Sequence, residues 1–302
     1  MGNNSMYSIE EKWQEGIKDW QGNLPERMIN DQSEENFWQE LLKKKDNIGK
    51  PDPYAIEIMK HVSSLIDDQD ELLEIGPGWG NYTFSLAERV KKLTLVDSSS
   101  AILDFLNGEL HKRNITDVEF IREKWEHIEL NKNYDVIFGF NCFYRMFGIK
   151  KALLHIHKHA KRLAIIGMTT GPIQPHYLEL HDQYGIEVKF PRKDYIDLLN
   201  LLYELGIYAD CKIIPLSRTQ VYSSYEECLE KNMSKILTDN VDISLVEDVL
   251  SKYIVCENGK FIYRNEYNAA LISWRPKYVG RGCLSLPGFC RIEISLFVIL
   301  SA

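Results

Sequence analysis

Between residues 71 and 168, short apolar runs alternate with longer stretches whose apolar positions recur at helical spacing. "LLEI" (72–75), "LTLV" (93–96), "VEFI" (118–121), "YDVIFGF" (134–140) and "RLAIIGM" (162–168) read as buried strands. Between them, "NYTFSLAERVKK" sets Tyr82, Leu86, Ala87 and Val90 on one helical face, and "SAILDFLNGELHKR" and "IKKALLHIHKHA" read as further helices. The same alternation continues with the helix "KDYIDLLNLLYELG", a strand around "CKIIPL", a helical stretch over 223–255 and a last strand, "YNAALISW" (267–274). Strands that alternate with helices predict an α/β fold: a doubly wound, mostly parallel, seven-stranded sheet covered on both faces. Ligands of such sheets bind beyond the carboxyl ends of the strands, where the strand order switches.

Residues 1–50 have a different pattern, polar and helical, with Trp13, Trp20, Phe37 and Trp38 as apolar anchors. "DQSEENFWQELLKKKD" has Ser33 as its expected N-cap, acids in its first turn and lysines in its last. Two prolines in "GKPDPY" (49–54) mark a boundary. The expected organisation is an N-terminal helical extension or lid over 1–50 and a main domain over 51–278, with 223–255 as a helical insertion. A C-terminal tail over 279–302 ends in an apolar run, 294–302, too short to span a bilayer.

Composition narrows the function classes. A content of 44% hydrophobic and 26% charged residues is ordinary for a globular protein, and 302 residues suffice for a large core. The net charge of −8 argues against strong nucleic-acid binding, which needs clustered Lys and Arg. Cysteines 142, 211, 228, 256, 283 and 290 form no C-x-x-C pair, which suits reduced thiols in the cytoplasm and neither a disulfide framework nor a metal site. The start carries no secretory pattern, and Met6 stands where a myristoylation signal after Gly2 requires Ser or Thr. A cytoplasmic protein with no membrane partner is expected.

The candidate chemistry lies in "ELLEIGPGWGNYTFSLAERVKKLTLVDSSS". A phosphate-binding P-loop needs a lysine that this turn lacks. The dinucleotide fingerprint G-x-G-x-x-G fits Gly76 and Gly78, but its third glycine position is Asn81, and the third glycine here is Gly80. A third reading is a ligand without phosphates. Glu74, at the strand end, faces the crevice and suits a cationic amino-acid moiety, the glycines admit close backbone approach, and Asp97 can accept hydrogen bonds from ribose hydroxyls.

On these motifs, over about residues 54–275, the chain resembles the class I S-adenosylmethionine-dependent methyltransferases. "LLEIGPGWG" looks like their first motif and "LTLVDSS" like their second. The resemblance implies S-adenosylmethionine as cofactor and S-adenosylhomocysteine as product. It places Glu74, Gly76, Pro77, Gly78 and Gly80, with Tyr82 and Thr83 after them, against the methionine and ribose portions. It places Asp97 and Ser98 at the ribose. "REKWEHI" puts Lys124, Trp125 and Glu126 where the family holds adenine, with Lys124 near the position of the usual acid. "NCFYRM" (141–146) follows the fourth strand beside the methyl-transfer centre, so Asn141 is expected at the cofactor and Tyr144 at the acceptor.

Other constellations compete with these. His155 and His159 of "HIHKH" share a helical face, which reads as solvated. His176, after the fifth strand, can accept a proton from a substrate hydroxyl or amine. "NCFY" lacks both prolines of the [ND]-P-P-[YF] motif of amino-methylating enzymes. The first motif also looks like that of the ribosomal RNA adenine dimethylases. The expected function is therefore methyl transfer to a small or medium organic molecule, with RNA or protein methylation, or non-catalytic cofactor binding, as alternatives.

Overall fold

The computed structural model describes residues 8–44 and 49–276. The tail 279–302, with Cys283 and Cys290, and the Gly2 and Met6 positions lie outside the described residues.

Among the described residues, four helices precede the first strand: α1 (Ile9–Ile17), α2 (Glu26–Ile29), α3 (Asp31–Lys44) and α4 (Pro53–Val62). A capping box starts α1: Ser8 Oγ accepts from Glu11 N, and Glu11 Oε2 accepts from Ser8 N. The cap of α3 is not Ser33. Asn30 Oδ1 accepts from the backbone of Gln32 and Ser33 at 3.0 and 3.2 Å, so the helix begins earlier and Ser33 sits inside its first turn. Pro53 opens α4 at a position where its missing N–H costs nothing.

Strands and helices then alternate: β1 (Glu71–Ile75), α5 (Thr83–Ala87), β2 (Lys92–Asp97), α6 (Ser100–Lys112), β3 (Val118–Arg122), β4 (Tyr134–Phe140), α7 (Ile149–His159) and β5 (Ala160–Thr170). There follow α8 (Pro175–Tyr184), α9 (Tyr195–Glu204), β6 (Asp210–Tyr222), α10 (Tyr225–Met233), α11 (Ile243–Ser251), β7 (Ile254–Glu257) and β8 (Lys260–Trp274). The main sheet runs β3-β2-β1-β4-β5-β8-β6. Strands β1 to β5 pair in parallel, and β8 is antiparallel to both β5 and β6.

Among the described residues this path has the expected seven strands, and β7 adds an eighth beside β8. Residues 223–255 are not helical throughout, because α11 ends at Ser251 and β7 pairs with β8. The turn between them is Asn258-Gly259, both at positive φ, the hairpin dipeptide that this geometry demands. Helix α5 is also shorter than expected and ends at Ala87.

The pleat sorts the strand residues into two cores. Leu72, Leu93, Leu95, Val136, Phe138 and Ile165 pack with α4 and α6 on one face. Leu73, Ile75, Ile137, Ala164 and Ile166 pack with α1, α7 and α9 on the other. The histidines of α7 are not a solvated face. His159 is buried, with Nδ1 at 3.0 Å from Asn133 Oδ1, and the His155 ring stacks on Trp125 at 4.7 Å. Their face of α7 meets the loops around β3 and β4, and burial holds both imidazoles below their usual pKa, His155 at about 4.

Candidate active site

The strand order reverses between β1 and β4, and the loops leaving the carboxyl ends of β1 to β5 diverge there. A cleft of about 730 Å³ lies over this point.

Its floor is the glycine turn after β1. Gly76 has φ +60°, and a Cβ there would come within 2.6 Å of Cys142 Cβ, so the turn lies flush against the segment after β4. Gly78 has φ +54°, and a Cβ there would have Trp38 as its nearest neighbour at 3.9 Å, pointing into the cleft. A side chain at Gly78 would therefore occupy ligand space. Pro77 and Tyr82 complete this wall. Tyr82 is 4% exposed, its ring packs on Phe138 at 5.1 Å, and its hydroxyl has no hydrogen-bond partner among the described residues.

On the β2 side, Asp97 and Ser98 line the cleft. Asp97 Oδ1 accepts from Ser99 N at 2.9 Å. Burial pushes Asp97 up to about 7 against the Ser99 and Ser98 backbone bonds, and the charges of Glu34 and Glu35 on α3 add to the push. After β3, Lys124, Trp125 and Glu126 also line the cleft. Trp125 is mostly a packing residue: it is 3% exposed, and its indole N–H donates to Ala152 O at 3.1 Å. Lys124 pairs with Asp31 of α3, and Glu126 Oε1 accepts from Phe147 N at 3.1 Å.

After β4, Asn141 adopts φ +55°, and its amide oxygen accepts from Thr169 N at 2.9 Å. That oxygen ties β4 to β5, so what Asn141 offers the cleft is the other side of the amide, next to Tyr54. Tyr144 lines the cleft at 41% exposure, with the Arg145 guanidinium 5.4 Å from its ring.

Four expected site residues do not line the cleft. Glu74 points under the glycine turn and not into the crevice. It is 1% exposed, and its Oε2 accepts from Thr83 Oγ1 at 2.8 Å. Thr83 is consumed by that bond, and Gly80 packs against Phe84 and Leu106. His176 is fully buried elsewhere, between α8 and β8, with Nδ1 2.8 Å from the Tyr263 hydroxyl. Buried there and held at about 4 chiefly by desolvation, it is out of reach of an acceptor in the cleft.

Several lining residues carried no motif. Tyr54, Arg27, Glu34 and Met168 reach the cleft from elements distant in sequence. Only Asn81 announced itself, as the departure from the dinucleotide fingerprint. Its amide holds Asp52 and the Tyr54 hydroxyl, joining the glycine turn to the start of α4. Among the described residues, no group of three or more His, Cys, Asp or Glu is placed to hold a metal ion.

This sheet order and this cleft define a methyltransferase-type α/β protein. Residues 72–162 match the model of the methyltransferase domain family, in keeping with that fold. The chain is 38% identical over 66 residues to the ribosomal RNA small subunit methyltransferase A of Desulforapulum autotrophicum, covering 22% of this chain and 23% of that one. It is 65% identical over 34 residues to the Fusobacterium nucleatum protein of the same name, covering 11% and 13%. The chain thus spans less than half the length of the curated relatives it matches, at most 40%. Among solved structures, a candidate methyltransferase from Bacillus halodurans C-125 superposes with a TM-score of 0.50 at 16% identity, over 74% of this chain and 98% of that one, which speaks to the fold alone.

Proposed function

We propose that this protein binds S-adenosylmethionine and transfers its methyl group to a small or medium organic molecule, releasing S-adenosylhomocysteine. The observation that carries the reading is one walled cleft, about 730 Å³, in which the glycine turn, Asp97 and Tyr144 converge under the N-terminal helices. Its size falls in the range of sites that enclose small molecules.

The lining fits an adenosyl amino acid in three respects. Gly78 leaves backbone open to close approach, Asp97 offers a carboxylate to ribose hydroxyls, and the buried Tyr82 hydroxyl has capacity for one more bond. The acids Asp97, Glu34, Glu123 and Glu126 line the cleft together with Arg27, Lys124 and Arg145, and Arg27 and Arg145 are both engaged by Glu34 and Lys124 by Asp31. The chemistry supplied by S-adenosylmethionine when bound is an electrophilic methyl, which passes to an acceptor lone pair while the C–S electron pair stays on sulfur. The chain's task is then orientation and exclusion of water, with no obligatory proton-transfer group. Titration calorimetry tests the reading: S-adenosylhomocysteine should bind and NAD should not, whereas tight NAD binding with no response to the nucleoside would overturn it.

Tyr144 is the acceptor-side wall in this reading. Tyr144→Ala should lower turnover far more than cofactor affinity, because it disturbs orientation in the transition state. An acceptor found by metabolite screening supplies the assay, and normal turnover in the variant would move the acceptor entrance elsewhere.

A second reading is methylation of RNA, favoured by the names of the curated relatives. The net charge of −8 opposes it. A salt-sensitive, submicromolar affinity for RNA at physiological ionic strength would promote it over the first. Among the described residues no helix is long and apolar enough to cross a membrane.

A further inference from the structure

Helix α3 is held in an unusual way. None of its residues is fully buried, and only Trp38 and Leu42 pack, partly buried, against the core on the α4 and α6 face. Polar and aromatic links also tie it to the loops after four successive strands of the cleft. After β1, Trp38 lies over Gly78 and is 6.3 Å from Trp79, ring to ring. After β2, Glu35 Oε1 accepts from Ser100 Oγ at 2.7 Å and Ala101 N at 2.9 Å. Helix α6 has no acid in its own first turn, so Glu35 supplies the negative charge that its N-terminus favours. After β3, Asp31 pairs with Lys124. After β4, Arg145 Nη1 donates to Glu34 Oε2 at 3.1 Å, and Arg27 holds the same carboxylate through two bonds at 2.6 and 2.9 Å.

Glu34 also accepts the Trp38 indole N–H at 2.7 Å, which fixes that ring above the glycine turn. Trp38 remains only half-buried there, a large apolar surface facing a cleft. Part of the ring packs against the core, and its remaining edge looks onto Gly78, where the backbone has been stripped of side chain.

From this arrangement we infer that α3 is a wall of the cofactor pocket itself: Trp38 contacts the bound cofactor above Gly78, and Glu34 is the positioning residue that holds both Trp38 and Arg145. The inference rests on the reading of the cleft as an S-adenosylmethionine site. It also implies that α3 must part from the loops to admit the cofactor and settle again over it. A helix docked by surface links and little apolar burial has a low opening free energy, which makes this motion accessible.

The test uses the full chain and S-adenosylhomocysteine, by calorimetry and by hydrogen exchange. Trp38→Ala should weaken binding about tenfold or more, Trp38→Phe should restore most of the loss, and Glu34→Gln should fall between them. In the wild type, the amides of residues 31–44 should exchange more slowly once the nucleoside is bound. Wild-type affinity in Trp38→Ala, together with unchanged exchange in α3, would overturn the inference while leaving the cofactor reading standing. No binding by the wild type would remove that reading, and this inference with it. Should Trp38→Ala unfold, the exchange measurement and Trp38→Phe decide the matter alone.

Discussion

Glu74→Gln should flatten the dependence of stability on pH. Glu74 is enclosed at the end of β1, and burial pushes its carboxyl up from 4.5 to about 8; the Thr83 hydroxyl opposes that shift and the nearby Asp97 charge adds to it. Between those two values the folded protein keeps a proton that the unfolded chain releases. Unfolding then releases a proton, so stability falls as pH rises, by up to about 1.4 kcal/mol per pH unit from this group. The contribution is fully present below about 4.5 and is lost by the time the pH passes about 8. Glutamine keeps an oxygen for Thr83 and carries no charge at any pH. The variant should therefore match the wild type near pH 5 and exceed it increasingly toward pH 8.5. Urea unfolding across that range measures it. Parallel curves for the two proteins would mean that Glu74 is ionised in the fold, and that a cation or water reaches it.

Most of the sheet could be read from the sequence because its strands are short apolar runs separated by amphipathic helices, a pattern that burial on both faces imposes directly. The hairpin of β7 and β8 was missed for a local reason: β7 is only four residues long and follows α11 directly, so its apolar Ile254, Val255 and Cys256 read as a continuation of the helix, and Asn258-Gly259 alone marks the turn. At the site, Gly76, Gly78 and Asp97 stand at the cleft, as their spacing suggested. The direction of Glu74 was misread, because one residue of the β1 pleat decides between facing the crevice and facing the core. Its parity matches Leu72, whose side chain packs with α4, so the information was in the register and not in the motif. His176 shows the opposite limit. Its position after β5 suggested an acceptor contact, but α8 turns it away into the cluster around Tyr263. The contribution of Arg27 and Glu34 arises from docking α3 across four loops, and no local pattern encodes a long-range arrangement of that kind.

Asp97→Ala should weaken S-adenosylhomocysteine binding tenfold to a hundredfold, about 1.5–3 kcal/mol, with the fold intact. The loss is that of a charge-assisted acceptor for ribose hydroxyls, and it should itself depend on pH. Without ligand, Asp97 sits at about 7, raised first by burial and further by Glu34 and Glu35 from α3. Ribose hydroxyls donate best to the ionised form, so binding favours loss of the proton. Below about pH 7 the wild type should then release a proton on binding, and its affinity should rise as the pH climbs through that value. In Asp97→Ala that part of the rise should vanish, and the two affinities should converge toward acid pH. Calorimetry at pH 6 in two buffers of different ionisation enthalpy counts the released proton, and a series from pH 5.5 to 8.5 gives the affinity curve. If the alanine variant bound the nucleoside as tightly as the wild type at pH 8, Asp97 would be only the partner of Ser99 N at the start of α6, and the ribose would have to be held from another side of the cleft.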